Sequence, residues 1–158
     1  MKTLIKSSAI LAALLGSGLA QADTTTASIP MGLDVPKSCS FSNVSAGIVL
    51  PEDGSEAQGS FTFTCNMDGG FNASYALESR SNGSLKVKNM DGISLPITAS
   101  INFVGLNLSL DSLWTTYFHS SFLNNPITGV VTAKLVNPTT ATTPAGVYTD
   151  TFRVTVTY

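Results

Sequence analysis

Ile93-Ser94-Leu95-Pro96-Ile97-Thr98-Ala99-Ser100-Ile101-Asn102-Phe103 is the stretch that decides the fold class. Its odd-numbered residues are apolar throughout, and its even-numbered ones are hydroxylic, amidic or proline. Period two over that length has no helical explanation, because a helix brings a side chain back to the same face every 3.6 residues. Residues 93–103 therefore read as a strand with Ile93, Leu95, Ile97, Ala99, Ile101 and Phe103 turned to a core. Pro96 has no N–H to give to a ladder, so this part is expected at a sheet edge or a bulge.

The same alternation extends outward from that strand. Upstream, Phe61, Phe63 and Cys65 alternate with Thr62 and Thr64, and residues 72–79 continue with Ala73, Tyr75 and Leu77. Arg80-Ser81-Asn82-Gly83-Ser84 reads as a hairpin turn, since Asn-Gly tolerates positive φ, and Leu85 and Val87 resume the inward face beyond it. Downstream of Gly105, Leu106, Leu108 and Leu110 alternate again. Residues 111–125 break period and carry Trp114, Tyr117 and Phe118, which suggests a partly buried connection with a helical turn opened by Asp111. Residues 127–136 form another strand, and the Thr-rich stretch 137–146, with Pro138 and Pro144, a loop. In residues 147–158, Tyr148, Phe152, Val154, Val156 and Tyr158 oppose Thr149, Thr151, Arg153, Thr155 and Thr157. Short strands, regular turn signals and no helical run predict an antiparallel sandwich in one domain, without internal repeats.

The first residues set the compartment. Lys2 and Lys6 precede an apolar stretch, residues 9–15, that is too short to span a bilayer, and Ala20-Gln21-Ala22 supplies a small-x-small cleavage pattern. Residues 1–22 are read as a secretory signal peptide. Its removal takes out Lys2 and Lys6 and no acidic residue, so the net charge moves from −2 to −4, with six basic against ten acidic residues. No basic cluster survives, which argues against nucleic acid or an anionic membrane surface as partner. Cys39 and Cys65 are the only cysteines. Export to an oxidising compartment and an even count favour a disulfide between them over zinc or a nucleophile.

Residues 23–37, ahead of Cys39, carry a strand pattern of their own. Ala27, Ile29, Met31, Leu33 and Val35 alternate with Ser28, Pro30, Gly32 and Asp34. Periodicity alone leaves open whether this is simply the first strand of a self-sufficient sandwich.

A signal peptide, an alternating N-terminal extension, a cysteine at its end, and a second cysteine after Phe61-Thr62-Phe63-Thr64 form a recognisable combination. The chain closes on Gly146-Val147-Tyr148-Thr149-Asp150-Thr151-Phe152-Arg153-Val154-Thr155-Val156-Thr157-Tyr158. Together these features resemble the chaperone–usher pilins, closest to the archaic branch with its spore coat protein U-type domain. The resemblance implies an all-β, incomplete immunoglobulin-like antiparallel sandwich, residues 38–158, completed by a donor strand from another chain. It implies that residues 23–37 are that donor for a neighbour, with Ala27, Ile29, Met31, Leu33 and Val35 as the plug. It also implies that Phe152, Val154, Val156 and Tyr158 border the groove and pair with chaperone, then donor. Expected partners are a periplasmic chaperone, an outer-membrane usher and other copies of the chain or sibling pilins. The expected destination is a surface fimbria reached through the periplasm, with no direct membrane insertion and no cofactor.

Two other function classes are weighed against this reading. One is a self-contained binding module or single-domain adhesin that sets Trp114, Tyr117 and Phe118 against a sugar ring. The other is an enzyme, for which no constellation is visible. His119 is the single histidine and lacks a nucleophile elbow or a metal partner at helical spacing. Glu52, Asp53, Glu56, Asp68, Asp91 and Asp111 are scattered among turns, and nothing selects a catalytic pair. The sequons at Asn43, Asn72, Asn82 and Asn107 read as strand and turn chemistry in a bacterial exported protein.

Overall fold

A computed structural model describes residues 25–67 and 69–158. The signal-peptide reading of residues 1–22 lies outside the described residues. The chain divides into two compact units, Met1–Asp34 and Val35–Tyr158. In the first, described residues 25–34 contain no strand or helix and are exposed.

Among its described residues the second unit carries nine strands: β1 (Cys39–Ser42), β2 (Ala57–Cys65), β3 (Phe71–Leu77), β4 (Leu85–Lys88), β5 (Ser94–Phe103), β6 (Leu106–Ser109), β7 (Trp114–Phe118), β8 (Ile127–Leu135) and β9 (Phe152–Thr157). All pairings are antiparallel. The larger sheet runs β1-β2-β8-β5-β4, with β6 also on β5, and the smaller runs β7-β3-β9. The two sheets meet through their apolar phases, as an immunoglobulin-like sandwich requires. Phe63 of β2 meets Phe71 of β3 and Phe118 of β7 edge-on at 5.8 and 5.7 Å, and Tyr75 of β3 stacks on Phe103 of β5 at 5.0 Å. Gly129 on β8 is part of the same fit: a Cβ there would stand 2.5 Å from the Phe61 ring.

The stretch that decided the fold is a central strand. Ile97, Ala99, Ile101 and Phe103 of β5 are buried, while Ile93 lies just before the strand and is partly exposed. Pro96 does not sit on an edge strand, as its missing N–H suggested. Lys86 of β4 lies opposite it, and its carbonyl accepts the N–H of Val136 at 3.0 Å. The proline is tolerated because β8 ends at Leu135, so the absent donor falls where that ladder runs out. The Asn82-Gly83 turn forms as read, with φ of 47° and 77° and Ser81 bridged to Ser84. A second tight turn joins β5 to β6 through Val104 and Gly105, both at positive φ, an uncommon conformation for a β-branched residue.

Two sequence expectations fail here. Residues 111–125 are not merely a connection but contain β7, and the helical turn, a 3-10 turn over Ser120–Phe122, follows His119 and does not start at Asp111. Residues 147–158 are not one strand, since β9 begins only at Phe152. Thr149 exchanges both backbone hydrogen bonds with Lys88, in the other sheet, and Asp150 accepts from the Ser79 N–H (3.0 Å) and hydroxyl (2.6 Å). Those partners hold residues 149–150 across the sandwich end before the chain joins β3.

Candidate functional site

The site is built around β9. This strand pairs with β3 in the register Tyr75↔Val154, and among the described residues nothing pairs with its other side. Which backbone groups face that open side follows from one hydrogen bond. The N–H of Glu78 donates to the carbonyl of Thr151 at 2.9 Å, which makes 78 and 151 a hydrogen-bonded pair. Such pairs alternate along an antiparallel ladder, so Arg153, Thr155 and Thr157 also turn their backbone groups to β3. The N–H and C=O groups of Phe152, Val154 and Val156 therefore point away from it. Their side chains have the opposite assignment: all three are half-buried and pack against the core, whereas Thr151, Arg153, Thr155 and Thr157 are exposed.

Beside this open edge lies a groove of about 1120 Å³. Its floor is the inner face of the larger sheet, including Ile97, Ala99, Val131, Ala133 and Leu135. Phe152 and Val154 form one wall and residues 44–50 the other. Among the described residues the second wall is hydrogen-bonded to β2 only at its start, where Ser45 donates its N–H to the Ser60 carbonyl and its hydroxyl accepts the Ser60 N–H, both at 2.9 Å, while Ile48 packs on Gly59 of the same strand. Residues 46–50 make no backbone hydrogen bond among the described residues. The site is thus an apolar cleft with unpaired backbone groups on both rims. An extended chain can satisfy both features at once, its alternate side chains in the cleft and its backbone on the rims.

The other candidate residues fall in different places. Cys39 and Cys65 sit opposite each other on β1 and β2 and form a disulfide. Just outside it, Asn66 takes the Ser38 N–H on its side-chain oxygen at 2.6 Å and gives its amide to the Pro36 carbonyl at 3.2 Å. Ile29, Met31, Leu33 and Val35 are 85, 94, 88 and 61% exposed, and Ala27 is exposed as well. Tyr158 lies beyond the end of β9 and is exposed.

Trp114, Tyr117 and Phe118 do not form a joint platform. Phe118 is 2% exposed within the aromatic core, the Trp114 indole N–H donates to the Ser109 carbonyl, and Tyr117 alone of the three lies on the outward phase of β7. His119 packs edge-on against Tyr117 at 5.4 Å. Among the carboxylates, Glu56 pairs with Lys134 at 3.0 Å. Hydrogen bonds from Ser55 hold the Asp53 carboxyl below the usual carboxylate range. Asp68 lies outside the described residues.

Sequence reasoning missed the wall at residues 44–50. Ala46-Gly47-Ile48-Val49-Leu50 has no alternation, yet Ile48 and Leu50 pack on the core while Val49 is 88% exposed. The signal available was Pro51, which ends an apolar run of strand length.

No family model matches the sequence. No curated protein matches it either. Among solved structures, the chain is similar to a chain of the CsuC–CsuE chaperone–tip adhesion subunit pre-assembly complex from the archaic chaperone–usher Csu pili of Acinetobacter baumannii. The identity is 21% and the TM-score 0.50, over 78% of this chain and 40% of that one. A chain of a chaperone–tip adhesin complex in CFA/I fimbriae biogenesis aligns at 19% identity and a TM-score of 0.43, over 73% of this chain and 38% of that one. The chain thus spans about two fifths of the length of these neighbours. At such identity the first likeness is one of fold, and the fold is one that occurs in chaperone–usher pilus complexes.

Proposed function

We propose that this chain is a structural, non-enzymatic subunit of an adhesive surface pilus, assembled by the chaperone–usher route through donor-strand exchange. The observation that carries the reading is the coincidence, on one strand, of outward-facing backbone groups and inward-facing apolar side chains beside an open groove. Phe152, Val154 and Val156 supply that edge, and Phe152 and Val154 line the groove. A periplasmic chaperone fills the groove first, since an open apolar cleft with a bare strand edge invites aggregation. At the outer-membrane usher, residues 23–37 of the next subunit replace the chaperone strand.

The energies suit a stable fibre. Ile29, Met31, Leu33 and Val35 are largely exposed, and burying them stabilises by roughly 1.5–3 kcal/mol each, or on the order of 6–12 kcal/mol before ordering costs. Backbone hydrogen bonds to the rims add about 0.5–1.5 kcal/mol apiece. Register is strict, because a slip of one residue turns Pro30, Gly32 and Asp34 into the cleft.

The test is co-expression of the full chain with its chaperone and usher, comparing wild type with Met31→Asp and Leu33→Asp. Wild type should give polymer ladders on gels that collapse on heating, and either variant should leave chaperone-bound subunit without polymer. Unchanged fibres from both variants would remove residues 27–35 from the mechanism.

A further inference from the structure

The smaller sheet has a second open edge. On its outer side β7 meets no strand among the described residues. The parity of β3 again fixes the backbone directions. Its even-numbered residues face β9, so Phe71, Ala73 and Tyr75 turn their N–H and C=O to β7, opposite Phe118, Thr116 and Trp114. The N–H and C=O groups of Thr115 and Tyr117 are left pointing outward.

Edge strands are ordinarily blunted by charge. The end strand of the larger sheet follows that rule with Lys86 and Lys88. No charged residue occurs between Ser112 and Phe118, and Leu113, Trp114 and Tyr117 are 53, 39 and 56% exposed. The ionisable groups lie at the two ends: Asp111 in the turn ahead of β7 and His119 just after it.

We infer that β7 docks edge to edge, antiparallel, on β7 of a second copy of this chain, about a two-fold axis through Thr115. That arrangement is self-complementary. Thr115 meets its own equivalent, Leu113 of each copy lies opposite Tyr117 of the other, and the carboxylate end of one edge faces the imidazole end of its neighbour. A parallel arrangement instead sets Asp111 beside Asp111. The docking does not depend on the pilus reading. It uses the edge of the sheet remote from β9, so a subunit whose groove is filled keeps it available for side-by-side association.

Cross-linking tests this in the full chain carrying Met31→Asp, where exchange through residues 27–35 cannot contribute. Across a hydrogen-bonded antiparallel pair, Cα atoms stand about 5.5 Å apart, within disulfide range. Thr115→Cys should therefore oxidise to a covalent dimer at least about tenfold faster than Thr98→Cys, a control on the outward face of the larger sheet. Thr115→Lys brings two ammonium groups together at the axis. It should abolish concentration-dependent association in sedimentation, whereas Thr115→Val, which gives up the same 3.1 Å hydroxyl contact with Ser74 without adding charge, should keep it. Equal cross-linking rates for the two cysteine variants, or undiminished association of Thr115→Lys, would overturn the inference. Polymerisation that ignores Met31→Asp would count against the pilus mechanism alone.

Discussion

The parity of β9 makes a prediction that separates docking from folding at adjacent residues. Proline removes one N–H and fixes φ near the extended range, so its effect depends on where that N–H points. The N–H of Val154 points to the open edge, and that of Thr155 points to β3. Val154→Pro should therefore spare the β3 ladder and harm only an incoming strand. That strand loses one hydrogen bond, about 0.5–1.5 kcal/mol, and keeps one unpaired carbonyl at a further cost of about 1–3 kcal/mol. The total of roughly 1.5–4.5 kcal/mol corresponds to a ten- to thousandfold weaker complex. Thr155→Pro puts the same loss into the fold itself, a large share of the roughly 5–15 kcal/mol that holds a domain together. The assay is fluorescence anisotropy of a labelled peptide of residues 25–37, titrated with full chains carrying Met31→Asp, alongside urea melts of each variant. Val154→Pro should lose the peptide and keep the urea midpoint, and Thr155→Pro should lower the midpoint. Peptide affinity unaffected by Val154→Pro would show that β9 is not the receiving edge.

Two further outcomes concern the body of the domain. The Tyr75 hydroxyl is buried and finds no hydrogen-bond partner among the described residues, and burial pushes its ionisation far above the ordinary tyrosine value. Tyr75→Phe should consequently raise stability by about 1 kcal/mol, read as a higher urea midpoint at constant slope; a loss of that size would mean the hydroxyl has a partner. The Cys39–Cys65 bridge spans a sequence separation of 26, for which loop-closure entropy gives about 3.5 kcal/mol. The double variant Cys39→Ser/Cys65→Ser should fall short of the oxidised protein by about that amount, and equal melts would place the stabilisation elsewhere.

How much of this was legible in the sequence depends on how local the cause is. Alternation in β5 and β2 is visible because each has one face in the core and a mostly polar residue at every other position, so the phase reports the side. β7 hides because its outward phase carries Tyr117 while Trp114, on the inward phase, stays 39% exposed, so the contrast that marks a strand is lost. The break before β9 has no local breaker at all. It comes from Lys88 and Ser79, which are distant in sequence and take hold of residues 149–150. Pro96 misled because the rule concerns the N–H side of a strand, and no sequence shows that a neighbour stops one residue short. The groove has a similar status, since its lining comes from residues 44–50, β5, β8 and β9, which lie far apart in sequence. What can be read is the alternation of Ala27, Ile29, Met31, Leu33 and Val35, all of which are exposed.

The two bare edges of the smaller sheet differ in what they demand, and on the proposed pilus reading that difference would order events along a fibre. At β9 an arriving strand must supply backbone partners and also apolar side chains for the cleft, since Phe152 and Val154 open onto about 1120 Å³. At β7 the core beneath is already closed by Phe118 and Phe71, so an arriving strand gains backbone hydrogen bonds and a few surface contacts. The first exchange therefore draws on the full hydrophobic term and the second on little more than about 0.5–1.5 kcal/mol per bond. A single β7 contact is too weak to compete with the groove for a strand. Repeated at every subunit of two polymers lying side by side, the same contact adds with each repeat, because once the first pair has formed the rest are effectively intramolecular. Lateral association by this edge should consequently be weak but measurable between monomers at high concentration and steep in fibre length, whereas groove filling should be complete one subunit at a time.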